Sequence, residues 1–179
     1  MAILLNFLLF QAVWWTSVLG AANDRPLLGV GALLAFVAVH LVLSSDRARD
    51  LKVLAAVTVA GGLADTALAY ADVYLFRTAG PAGTPLPLWM WGLWANFSLT
   101  LFGALDWLRS KPLVALVLGA VSGPLTYQGA VALGALELPR GGASLAVLAI
   151  AWALLLPGLL ALATRLDGAR GATSEALPA

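Results

Sequence analysis

The chain has no cysteine, one histidine and few charges, and each shortage removes a class of function. Without cysteine there is no disulfide framework, no thiolate metal site and no Cys nucleophile. The single imidazole, His40, leaves no histidine cluster for a metal. The HExxH, GxSxG and P-loop patterns of metalloproteases, serine hydrolases and nucleotide-binding proteins are also missing. No cofactor, metal or catalytic residue is therefore expected. The net charge is +1 and no basic tract stands out, so nucleic acid is not an expected partner.

What is present is apolar. Hydrophobic residues make up 61% of the chain and charged residues 11%, against roughly 25% charged in soluble domains. So few charges cannot cover a soluble core, but a lipid bilayer accepts such an exterior. A helix needs about 20 apolar residues to cross roughly 30 Å of hydrocarbon. Six runs approach that length, near 3–22, 26–43, 53–76, 88–108, 113–136 and 144–164. The sequence thus predicts an all-α, polytopic bundle of six transmembrane helices in one domain, 1–164, followed by a disordered cytoplasmic tail, 165–179. Pro26 and Pro112 stand where a first helical turn needs no amide donor.

Lys and Arg alternate between the two ends of these runs. Arg47, Arg49, Lys52, Arg109, Lys111, Arg165 and Arg170 fall on the side shared with both termini. Arg25, Arg77 and Arg140 fall on the other. The positive-inside bias then predicts both termini in the cytoplasm. Arg-rich cations among abundant Ala, Leu and Gly suit a GC-rich bacterial gene, hence a bacterial inner (plasma) membrane. The first run has no preceding Lys or Arg and is broken by Asn6, Gln11 and Trp14-Trp15, which argues for a retained span over a cleaved signal peptide. Gly62 and Gly123 stand at similar depth in the third and fifth runs, as do Trp94 and Trp152 in the fourth and sixth. Three in-out-in hairpins are one reading of this, and chance similarity among Ala/Leu/Gly-rich helices is the other.

Polar residues inside the runs carry the functional reading. Asp65, near the middle of the third run, costs about 2.5–3.5 kcal/mol to insert, so such a group is normally tucked inside and functional. No Lys or Arg lies within any run. Asp65 should therefore be neutral much of the time or held by hydrogen-bond donors. Counting 1.5 Å per residue places Asn96, Trp152 and Tyr127 in the same layer, roughly 18–22 Å deep, with Gln11 slightly shallower and Gln128 slightly deeper. The alternative is that these groups are interhelical hydrogen bonds, each worth about 0.6 kcal/mol. Asp72, seven residues after Asp65, falls on the same helical stripe and extends a polar path outward. Trp94 and Trp152 are too deep for an interfacial belt and either line a cavity or pack in the core. Asp46 and Asp50 read as a solvated loop face. Pro124 and Pro157 interrupt the helical ladder, and Gly119 with Gly123 form a small face suited to a membrane-protein partner.

Asn6-Phe7, Gln11 with Trp14-Trp15, Gly62-Leu63-Ala64-Asp65, Pro87-Leu88-Trp89 leading to Leu93-Trp94, and Gly119 through Gly123-Pro124 span nearly the whole chain. In these patterns the sequence resembles an uncharacterised bacterial inner-membrane family, the domain of unknown function 2878. The resemblance implies a small polytopic membrane protein with no assigned activity and tilts the reading toward lipid. It assigns no residue a role. The expected function is binding or transport of a small or lipid-like molecule at a midplane site around Asp65. The alternatives are a non-catalytic membrane partner or assembly factor, and an integral-membrane enzyme acting on a lipid.

Overall fold

Leu- and Ala-rich runs with their caps become six α-helices in the computed structural model, which describes residues 3–78 and 80–174. They are α1 (Ile3–Ala22), α2 (Leu27–Leu43), α3 (Arg47–Tyr70), α4 (Leu88–Ser98), α5 (Pro112–Ala132) and α6 (Gly142–Ser174). Four of them, α1, α3, α5 and α6 through Gly168, are long and apolar enough to cross a membrane. The exterior agrees: Leu27, Val42, Leu113 and Leu154 are among many large apolar side chains left exposed. In water such a surface would aggregate, and lipid is its natural solvent. The chain is an all-α membrane bundle.

Consecutive helices pack in pairs, α1 with α2, α3 with α4 and α5 with α6, and α4 also packs against α1 and α2. At one end β1 (Leu75–Phe76) and β2 (Leu136–Glu137) form a short two-stranded antiparallel sheet, with Leu75 opposite Glu137. This sheet end also carries the Arg77–Asp24 ion pair at 3.8 Å. At the opposite, basic end, Arg49 and Arg109 both reach Asp167 of α6, at 3.6 and 3.1 Å.

Three helices, α3, α4 and α6, depart furthest from the expected bounds. Helix α3 begins at Arg47 instead of 53, because Asp46 caps it: its side chain accepts from the Arg49 amide at 3.0 Å. It ends at Tyr70, so Asp72 is not on the Asp65 stripe; it sits exposed in a turn with φ of 49°. Helix α4 has 11 residues and stops at Ser98, far short of the span expected to 108. Helix α6 runs to Ser174, so the expected tail begins inside a helix, and residues 175–179 lie outside the described residues.

The prolines do not break their helices; α5 and α6 each continue through Pro124 and Pro157. The interruption falls on α4, which has no internal proline. Ser98 and Thr100 turn their hydroxyls onto the carbonyls of Ala95 and Phe97, both at 2.6 Å, a local bond that competes with helical continuation. Asn6 of α1 then supplies what the broken backbone lacks. Its Nδ2 donates to the Leu99 carbonyl at 2.9 Å, and its Oδ1 accepts from the Ala104 amide at 3.0 Å. Irregular backbone at membrane depth needs such protein partners.

Candidate functional site: a carboxyl behind an aromatic wall

Residues 61, 62, 65 and 69 form the buried stripe of α3 that faces the bundle. A Cβ on Gly61 would collide with the Trp94 ring, and one on Gly62 with the Trp91 ring. The two glycines therefore let the indoles of α4 lie directly on the α3 backbone. That close approach brings the Trp94 Nε1–H to Asp65 Oδ2 at 2.8 Å. Tyr127 of α5 donates its hydroxyl to Asp65 Oδ1 at 2.6 Å. Tyr74, beyond the end of α3, folds back and donates to the Asp65 backbone carbonyl at 2.9 Å. The carboxyl is fully buried, and the side chains that hold it are neutral donors.

The aromatic layer continues outward from the carboxyl. Trp94 stacks on Trp152 of α6 with centroids 5.1 Å apart and planes at 11°, and Phe97 meets both rings edge-on. Trp152 in turn occupies the space over Gly119 and Gly123, where a Cβ would strike it. The small face of α5 is thus used inside the chain, against α6. Tyr74 and Tyr127 lie with ring centroids 5.0 Å apart.

On the far side of this wall is a cavity of about 300 Å³. It is lined by Phe7, Phe10 and Trp14 of α1, by Trp94 and Phe97 of α4, and by α5 and α6 residues including Tyr127 and Trp152. Helix α1 packs on α2 and α4 whereas α5 packs on α6, so the cavity occupies the gap between α1 and α5. Its lining residues Phe7, Leu118, Ser122 and Thr126 are exposed, which makes it a groove open at the side of the bundle.

Residues 3–158 match the model of a family described as proteins of unknown function, DUF2878. The chain belongs to the DUF2878 family. Comparison with curated proteins and with solved structures finds no match. The match covers every residue that lines this groove, from Phe7 to Leu156.

Of the residues singled out in the sequence, Asp65, Trp94 and Tyr127 bond directly, and Trp152 joins through one ring contact. The others are elsewhere. Asn96 is buried but donates to the Phe10 carbonyl of α1 at 3.1 Å, not to Asp65. Gln11 is half-buried on α1, Gln128 is exposed on α5, and Asp72 is exposed in its turn. Along α3 and α5 the layer lies nearer the β1–β2 end than the helix midpoints. Asp65 is five residues from the end of α3 and Tyr127 five from the end of α5, about 8 Å along each axis.

Two features escaped sequence reasoning, one at this site and one at the basic end. Tyr74 lies outside any helix, so no periodicity points to it. Asp50, read as solvated, is buried in the first turn of α3 and contacts His40 at 3.0 Å. The signal for that pair was the short connection of residues 44–46, which turns the end of α2 back onto the start of α3.

Proposed function

We propose that this protein binds the hydrocarbon chain of a lipid in the groove between α1 and α5, and that Asp65 is the residue that positions the groove wall. The observation that carries this reading is that Trp94 and Tyr127 hold the Asp65 carboxyl on one side and line the groove on the other. Ligand sites of about 300–1,000 Å³ with an apolar lining and a few fixed polar groups are the usual form of small-molecule pockets. Along α5 the lining from Leu118 to Tyr127 spans about 14 Å, close to half of the roughly 30 Å hydrocarbon core. One acyl chain of one leaflet fits that length. The lateral opening lets it enter from the bilayer without crossing water.

The test is photolabelling in nanodiscs with a phospholipid carrying a diazirine on its acyl chain, followed by peptide mapping. Labels are expected to concentrate on 7–14 and 118–127, and to fall several-fold in Ser122→Trp, which fills the groove from an exposed position. Equal labelling of the exposed faces of α2 and α6 would mean ordinary annular lipid and would sink the reading.

A second reading, a non-catalytic scaffold, is favoured by the enclosure of Asp65 among three aromatic donors. Under it the groove holds no preferred lipid, and the same labelling experiment decides between the two.

A further inference from the structure

A second polar cluster lies at the basic end, on the other side of the 99–105 segment from the groove. His40 stands near the end of α2 and Asp50 in the first turn of α3, and the short connection brings them face to face. His40 Nε2 lies 3.0 Å from Asp50 Oδ2, and Ser44 donates its hydroxyl to the same oxygen at 2.6 Å. Arg49 holds Oδ1 through Nε at 2.9 Å and a terminal nitrogen at 2.8 Å. The carboxylate is therefore saturated with donors and balanced by a guanidinium. Such a carboxylate accepts from the His40 Nε2–H, and this fixes the tautomer: Nδ1 of the neutral ring is left as a lone-pair acceptor.

That atom is buried and has no hydrogen-bond partner among the described residues, on a side chain only 10% exposed. A buried acceptor without a donor is unfavourable. His40 borders a cavity of about 100 Å³, the share of roughly three waters. Ser45 and Arg49 line it from α3 and its approach, and Phe102 and Gly103 from the 99–105 segment.

The charges around it are already matched. Arg49 pairs with Asp50 and Asp167, and Arg109 pairs with Asp106 and Asp167. Both guanidinium groups also stack on Phe102, at 4.1 and 4.4 Å from the ring centroid. Neither of these two guanidinium groups is left without a carboxylate. The unmet need is for a neutral donor.

We propose that this cavity binds a small hydroxylated group of the glycerol type, whose hydroxyl donates to His40 Nδ1 while Ser45 and Arg49 serve its other oxygens. The site is separate from the groove and stands whatever occupies the groove. The same chemistry is carried by a lipid headgroup with free hydroxyls and by a free polyol.

His40 is the only histidine, so ¹⁵N-histidine labelling gives a one-residue spectrum that needs no assignment. The full chain in phosphatidylcholine nanodiscs is titrated separately with diacylglycerol, free glycerol and inorganic phosphate. A saturable shift of the His40 Nδ1 resonance with diacylglycerol alone supports a lipid source. A shift with glycerol as well supports a free polyol. In Ser45→Trp, which fills the cavity from its exposed rim, the shift should be lost while the ligand-free protein keeps its thermal stability. No shift with either alcohol leaves water as the occupant and overturns the proposal. So does a shift with phosphate alone, or one that persists in Ser45→Trp.

Discussion

Trp94 touches Asp65 with its indole nitrogen and Trp152 with its ring face, so one side chain ties the buried carboxyl of α3 to the groove beside α6. The carboxyl need not meet a ligand to matter. Its hydrogen bond holds the Trp94 indole, and Trp94 lines the groove.

Replacing Asp65 by Ala strands the Trp94 N–H and the Tyr127 hydroxyl in a dry interior. Each stranded donor costs about 1–3 kcal/mol, so the melting temperature in detergent, followed by tryptophan fluorescence, should fall clearly. Asp65→Asn retains one acceptor and should lose less than half as much. If the wall-positioning role is right, Asp65→Asn also shifts the groove photolabelling pattern, a change that a stability effect alone would not produce. Equal stability of Asp65→Ala and the parent chain would contradict the hydrogen bonds described.

Gly61→Val places a branched side chain where the Trp94 ring lies. Overpacking of this kind costs about 1–3 kcal/mol. The expected signature is a changed tryptophan emission spectrum together with lower stability. Gly31, with no atom near its absent Cβ, is the control: Gly31→Ala should leave both unchanged.

Asn6→Leu keeps the number and branching of side-chain heavy atoms and removes both bonds that hold the 99–105 segment. A buried Leu99 carbonyl and Ala104 amide are left unpaired, at about 1–3 kcal/mol each. Hydrogen exchange should show the Ala104 amide opening at least tenfold faster, while amides in the middle of α5 keep their protection. Unchanged exchange at Ala104 would show that the break does not depend on Asn6.

Asp72→Asn should change neither stability nor photolabelling, because Asp72 is exposed and off the Asp65 helix. Asp106→Ala breaks an ion pair whose carboxylate side chain is 55% exposed, and exposed pairs are worth about 0–1 kcal/mol. A thermal melt of each variant within error of the parent is the expected result. A large loss in Asp72→Asn would revive the idea of a polar path running outward from Asp65.

Much of the bundle is legible in the chain. Composition and run length give an all-α membrane protein of six helices, and the alternation of Lys and Arg separates the two ends. Asp65 stands out because a carboxyl inside an apolar run is expensive wherever the helix is placed. Proline, by contrast, misleads about the break. In α5 and α6 the helices continue through their prolines, whereas α4 stops where Ser98, Thr100 and a distant Asn6 together offer its backbone other partners. Counting depth from the expected helix ends also set Asp65 too near the start of α3, because the capping carboxylate of Asp46 starts that helix early.

By itself, then, the sequence determined the number and polarity of the helices and marked one carboxyl as needing an explanation, since these follow from transfer energies summed along the chain. Which donors reach that carboxyl, that Asn96 and Gln128 turn elsewhere, that Tyr74 folds back onto it, and that His40 meets Asp50 were decided by the tertiary structure. Those contacts depend on helix rotation and close approach, set by glycines on one helix meeting indoles on another, and no pattern within a single helix encodes the angle at which its neighbour arrives.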